Sequence, residues 1–143
     1  MATTRRAEAT WSGDLIGGNG SVTAATTRVF ADLPTTWKAR TEEADGVTSP
    51  EELLATAHAS CFSMALSHGL AQAGSPAAEL KTSATVSFVP GTGITKIVLS
   101  VHGEVPGLDE EGFRAAAETA KENCPVSKAL AGVPEITLEA TLA

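Results

Sequence analysis

The segment Ser49-Pro50-Glu51-Glu52 constrains this chain more than any other. A serine at an N-cap accepts from helix N–H groups that otherwise lack partners, and a proline at the first helical position needs no N–H of its own. A glutamate three residues after the cap completes a capping box. From Pro50 to Ala73 there is no further proline, and the one internal glycine is Gly69; Gly74 and Pro76 then form the stop. The sequence therefore predicts a helix over 50–73, the longest element of the chain. Leu53, Leu54, Ala57, Ala59, Cys61, Phe62, Met64, Ala65 and Leu66 make it apolar around most of its circumference, which predicts a buried helix.

The first 43 residues read as extended. Arg6–Trp11 and Ser21–Phe30 are strand candidates on either side of a glycine-rich connection, with Asn19-Gly20 expected at the turn. That connection lacks the spacing of a phosphate-binding loop and no helix pattern follows it. Thr36–Glu42, with Trp37 and Arg40, is a third strand candidate, and Glu43–Thr48 a loop. After the helix, Thr82–Val89 and Ile94–Val105 alternate apolar and polar residues around Pro90-Gly91-Thr92-Gly93, which predicts an antiparallel hairpin. Asp109-Glu110-Glu111 opens a second helix that runs to about Asn123. Pro125 interrupts it, Val126–Leu130 forms a short turn, and Ile136, Leu138, Ala140 and Leu142 alternate as a last strand. The expected class is α+β, a single domain over 1–143 in which antiparallel sheet dominates.

A net charge of −7 argues against nucleic acid and against an anionic membrane surface as partners. No apolar run reaches the length of a bilayer span and the N-terminus lacks a secretory pattern, so a cytoplasmic protein is expected.

Chemistry narrows to Cys61 and Cys124, the only cysteines. They could form a structural disulfide, lie as two unrelated core thiols, or act as a redox pair; a reducing compartment disfavours the first, and composition does not choose between the others. Cys61 lies 12 positions after Ser49, roughly 18 Å along the helix, beyond the reach of the helix dipole. A thiolate there would need a specific cation. Arg40 is a candidate, with Glu51 able to hold its guanidinium; otherwise the two are a solvated surface pair of little energetic consequence. Cys124 precedes Pro125 at a helix end, where local opening would let a thiol move. His58 lies three residues before Cys61 on the same helix face. A zinc site from His58, Cys61 and Cys124 lacks any paired-ligand spacing and a fourth ligand, and no hydrolase motif is present. No cofactor and no metal are expected.

The run from Ser49 to Leu66, with His58-Ala59-Ser60-Cys61-Phe62-Ser63-Met64 at its centre, resembles the central helix of the osmotically inducible protein C (OsmC) family, which includes the organic hydroperoxide resistance proteins. Asn123-Cys124-Pro125-Val126-Ser127 resembles that family's resolving-cysteine segment, and Trp11-Ser12-Gly13-Asp14 its N-terminal strand. The resemblance implies antiparallel sheets wrapped around a long central helix in an intertwined homodimer. It implies a peroxidatic Cys61, a resolving Cys124, an activating Arg40 and a Glu51 that positions it. The implied activity is reduction of organic hydroperoxides and hydrogen peroxide through a Cys61 sulfenic acid and a Cys61–Cys124 disulfide, reopened by an external dithiol. The other readings are a thiol-based redox sensor and a binding protein with inert core thiols.

Overall fold

A computed structural model describes residues 1–143 and divides them into two units, Met1–Pro50 and Glu51–Ala143. Met1–Pro50 carries a three-stranded antiparallel sheet of β1 (Glu8–Ser12), β2 (Asn19–Thr23) and β3 (Leu33–Thr35), in that order. The expected hairpin is present, but Asn19 and Gly20 are not its turn. They open β2, opposite Ser12 and Trp11. The reversal occurs upstream, where Gly13 takes a φ of 92° and Asp14 gathers the backbone. The Asp14 carboxylate accepts from the Gly17 N–H at 2.7 Å, and its carbonyl accepts from the Gly18 N–H at 3.0 Å. An Asx turn of this kind supplies local bonds that the Asn-Gly pair would have had to provide.

β2 also ends at Thr23 rather than running on to Phe30, because residues 24–32 close local turns instead of continuing the strand ladder. The Ala24 N–H donates to the Phe30 carbonyl, Arg28 to Ala24, and Asp32 to the Thr23 hydroxyl. The third expected strand is displaced as well. Trp37–Thr41 is a short helix, α1, capped by the Thr36 hydroxyl, which accepts from the Ala39 N–H at 3.1 Å. Threonine and tryptophan suggested extended backbone; the side-chain cap overrides that propensity.

The long helix, α2 (Pro50–Gln72), begins at the expected proline and stops one residue before Ala73. Gly74 takes a φ of 86°, and the Ser75 N–H reaches back to the Leu70 carbonyl at 2.9 Å. Its burial is narrower than its composition implied. Glu51, His58, Phe62, Leu66 and Leu70 are buried, the last four spaced by one turn, whereas Met64 is 70% exposed. Alanine and serine raise the apolar count of the other faces without requiring cover.

In Glu51–Ala143, β4 (Glu79–Val89) and β5 (Gly93–Glu104) form the expected antiparallel hairpin. Helix α3 (Glu110–Asn123) follows, its Asp109 carboxylate accepting from the Gly112 N–H at 2.8 Å; then α4 (Pro125–Ala129) and β6 (Glu135–Leu142). β6 lies parallel to β5, so the sheet order is β4-β5-β6 and the sheet is mixed, not wholly antiparallel. The α3–α4 segment is the crossover that a parallel pair requires. Phe62, Leu66 and Leu70 of α2, Leu99 and Val101 of β5, and Phe113, Ala117 and Ala120 of α3 form one core, which also includes Cys124. The α+β class holds. No helix is long and apolar enough to cross a membrane.

Candidate active site

Cys124 stands at the junction of two helices. Its N–H donates to the Ala120 carbonyl at 2.9 Å and ends α3, while its own carbonyl accepts from the Lys128 N–H at 3.0 Å and begins α4. Pro125, which lacks an N–H and restricts the residue before it, gives Cys124 a φ of −56° and a ψ of 124° and breaks the helix there. The Cys124 side chain is 0% exposed. It lies beside the Cys61 thiol, which is half-buried in the middle of α2. The mobility suggested by the Cys-Pro break is not needed for the thiols to meet, because they are already adjacent and both are free.

Burial is the main influence on the Cys61 thiol and pushes its pKa up. The neighbouring Cys124 thiol pushes in the same direction, while the nearby N–H of Val126 pulls it down. Within Glu51–Ala143 the balance therefore favours a protonated Cys61, and reactivity at neutral pH calls for a positive group.

One turn before Cys61, His58 is 0% exposed. Its Nε2 lies 2.7 Å from the hydroxyl of Ser127 in α4, 69 residues away in the chain, and its Nδ1 is buried without a partner. Desolvation lowers its pKa, so the ring is neutral. A buried N–H without an acceptor costs more than a bare lone pair, which assigns the proton to Nε2, donated to Ser127. Glu51, also buried, lies at the start of α2. No group of three or more His, Cys, Asp or Glu side chains converges anywhere in the chain.

In Met1–Pro50, Arg40 lies on α1 rather than on a strand. Its guanidinium stacks over the Trp37 ring at 5.8 Å from the centroid. Both residues line a groove of about 380 Å³ together with Trp11, Leu15 and Val22.

The OsmC-like protein family model matches residues 42–139, more than half of the chain. The chain belongs to the OsmC-like family. It is 40% identical over 142 residues to the peroxiredoxin OsmC of Escherichia coli (strain K12), covering 97% of this chain and 96% of that one. It is 32% identical over 97 residues to the organic hydroperoxide resistance protein of Xanthomonas axonopodis pv. citri (strain 306), covering 64% and 65% respectively. An OsmC-like protein from Mycoplasma pneumoniae shares the fold, with a TM-score of 0.74 at 17% identity over 100% of this chain and 99% of that one.

For this OsmC-like chain, the sequence pointed to both cysteines and singled out His58, but it gave no indication of Ser127 or the Val126 N–H. Both partners come from α4, which packs back on α2 only once the fold is complete. A visible signal did exist. His58 occupies the first position of a one-turn repeat whose other members are Phe62, Leu66 and Leu70, and a polar residue in such a stripe requires a buried partner.

Proposed function

We propose that this OsmC-like protein is a thiol-dependent hydroperoxide reductase in oxidative stress defence, with residues 1–143 acting as one functional unit. The supporting observation is the adjacent pair of free thiols, buried Cys124 and half-buried Cys61, brought together from positions 63 apart. The names of the curated relatives support the same activity. The Cys61 thiolate attacks the distal oxygen of a hydroperoxide. The O–O bond breaks, the alkoxide takes up a proton and leaves as an alcohol, and Cys61 becomes a sulfenic acid. The Cys124 thiolate then attacks the sulfenic sulfur, and the hydroxyl leaves as water with the thiol proton. An external dithiol reduces the resulting disulfide and is itself oxidised.

Arg40 stabilises the Cys61 thiolate and polarises the peroxide, and Glu51 positions Arg40; both roles rest on family resemblance. The raised pKa of Cys61 within its own unit supports the need for such a cation. A homodimer is part of this reading. Met1–Pro50 buries only Thr23, leaving Trp11, Leu15, Ile16 and Val29 exposed in the single chain, which suits cover by a second copy. A cytoplasmic setting supplies the dithiol reductant.

Intact mass after one equivalent of an organic hydroperoxide tests the proposal: the reduced chain should lose two hydrogens. Cys61→Ser should abolish consumption of hydroperoxide. Cys124→Ser should consume one equivalent and stop at the sulfenic acid. An unchanged mass would instead identify the thiols as inert core residues.

A further inference from the structure

α4 holds the second thiol in place with very little material. It is five residues long, and Ser127 is its one buried residue. Apolar side chains hold α3 against the sheet; α4 contributes Val126, partly buried against the same core, and one buried polar contact, the bond from His58 Nε2 to the Ser127 hydroxyl. Three residues before Ser127 is Cys124, and one residue before it is Val126, whose N–H lies near the Cys61 sulfur. His58 is itself three residues before Cys61, so the hydrogen bond runs beside the thiol pair and spans the same two elements.

Stability alone does not account for this arrangement. The next three positions of the α2 stripe are Phe62, Leu66 and Leu70, and an aliphatic residue at position 58 facing an alanine would bury no orphan nitrogen. Leaving Nδ1 unpaired carries a desolvation cost that such a pair would avoid. A hydrogen bond does provide what an apolar contact lacks, a set distance and direction. Apolar surfaces can slide along one another by an ångström at little cost. The geometry of a disulfide does not tolerate that, since Cβ–Cβ separation and torsion are narrowly bounded.

We infer that His58 and Ser127 are positioning residues that lock α4 against α2, holding Cys124 where it can attack the Cys61 sulfenic acid before a second hydroperoxide does. The inference rests on the proposed reductase chemistry. The two residues act in the second step: the S–S bond forms, the S–O bond breaks, and the hydroxyl departs as water with the Cys124 proton. When that step is slow, a further hydroperoxide oxidises the sulfenic acid to sulfinic acid and releases a second alcohol, and the thiol is lost.

The test is quench-flow on the full-length reduced protein with cumene hydroperoxide. Sulfenic acid is trapped with dimedone and disulfide is read by intact mass, in wild type, Ser127→Ala, Ser127→Thr, His58→Leu and His58→Gln. Ser127→Ala and His58→Leu are expected to slow conversion of sulfenic acid to disulfide roughly tenfold, as one buried hydrogen bond is lost. Formation of sulfenic acid should slow by a smaller factor, and both variants should accumulate sulfinic acid under excess hydroperoxide. Ser127→Thr keeps the hydroxyl and His58→Gln keeps an N–H donor, and both should recover most of the second-step rate. Wild-type resolution in Ser127→Ala would overturn the inference. So would equal slowing of both steps, which would indicate general loosening of the fold. Should His58→Leu fail to fold, Ser127→Ala, which removes a single oxygen, still decides. A wild-type protein that forms no sulfenic acid would refute the reductase proposal itself, a result distinct from any of these.

Discussion

Joining Cys61 to Cys124 would close a loop between positions 63 apart. In the chain-entropy treatment, a loop of this length removes roughly 14 cal/mol/K from the unfolded ensemble, or about 4 kcal/mol at 25 °C. The native state offsets little of that gain, because the two thiols already lie side by side in the core. With a urea slope of about 2 kcal/mol/M, the oxidised form should unfold at a midpoint roughly 2 M above the reduced form. The assay is urea unfolding followed by circular dichroism. One sample is oxidised with a single equivalent of hydroperoxide and shown by mass to have lost two hydrogens; the other is kept in dithiol. Cys124→Ser, treated identically, should show no such gain. An oxidised midpoint equal to or below the reduced one would show that closing the bond strains the core, and that the thiols are not set up for bonding as described.

Three further outcomes follow from the same geometry. A β-carbon added at Gly103 would lie 2.4 Å from Cζ and 2.5 Å from Cε1 of the fully buried Phe113, so Gly103→Ala should destabilise by about 1–3 kcal/mol and lower Tm by several degrees; an unchanged Tm would mean that α3 is free to shift away from β5. Buried and neutral, His58 supports folding fully above ~6.5, where the unfolded ring is neutral too, and that support is lost as pH falls from there toward its lower folded pKa. Urea stability should accordingly drop between about pH 7 and 5, less steeply in His58→Gln, and an identical slope in the variant would remove His58 from the acid response. In a Cys124→Ser background, Arg40→Met should shift the pH midpoint of Cys61 alkylation upward; no shift would eliminate Arg40 as the activating cation.

Much of this architecture could be read from local chemistry. The start of α2 at Pro50, the Gly74 stop, the β4–β5 hairpin and the start of α3 at Asp109 each depend on residues within a few positions of one another. The errors arose where two local signals competed. Asp14 outweighed Asn19-Gly20 at the first turn, and the Thr36 cap outweighed the strand propensity around Trp37. Direction was hidden for a different reason. The alternation of Ile136, Leu138 and Ala140 marks a strand but carries no sense of whether its neighbour runs parallel. Both cysteines could be identified from their surroundings in the chain, but their adjacency, and the bond between His58 and Ser127, depend on how α4 returns to α2.

The parallel pairing of β5 and β6 bears on when the two thiols come together. Cys124 lies in the crossover between them, and the crossover is fixed at its far end only when Glu135–Leu142 joins the sheet beside β5. Until then Cys61 lacks the neighbouring Cys124 thiol and Val126 N–H. Non-local pairing of this kind forms late. The Cys61–Cys124 pair is therefore assembled only when the β5–β6 pairing closes the crossover, so its formation reports completion of the whole sheet rather than of any local element.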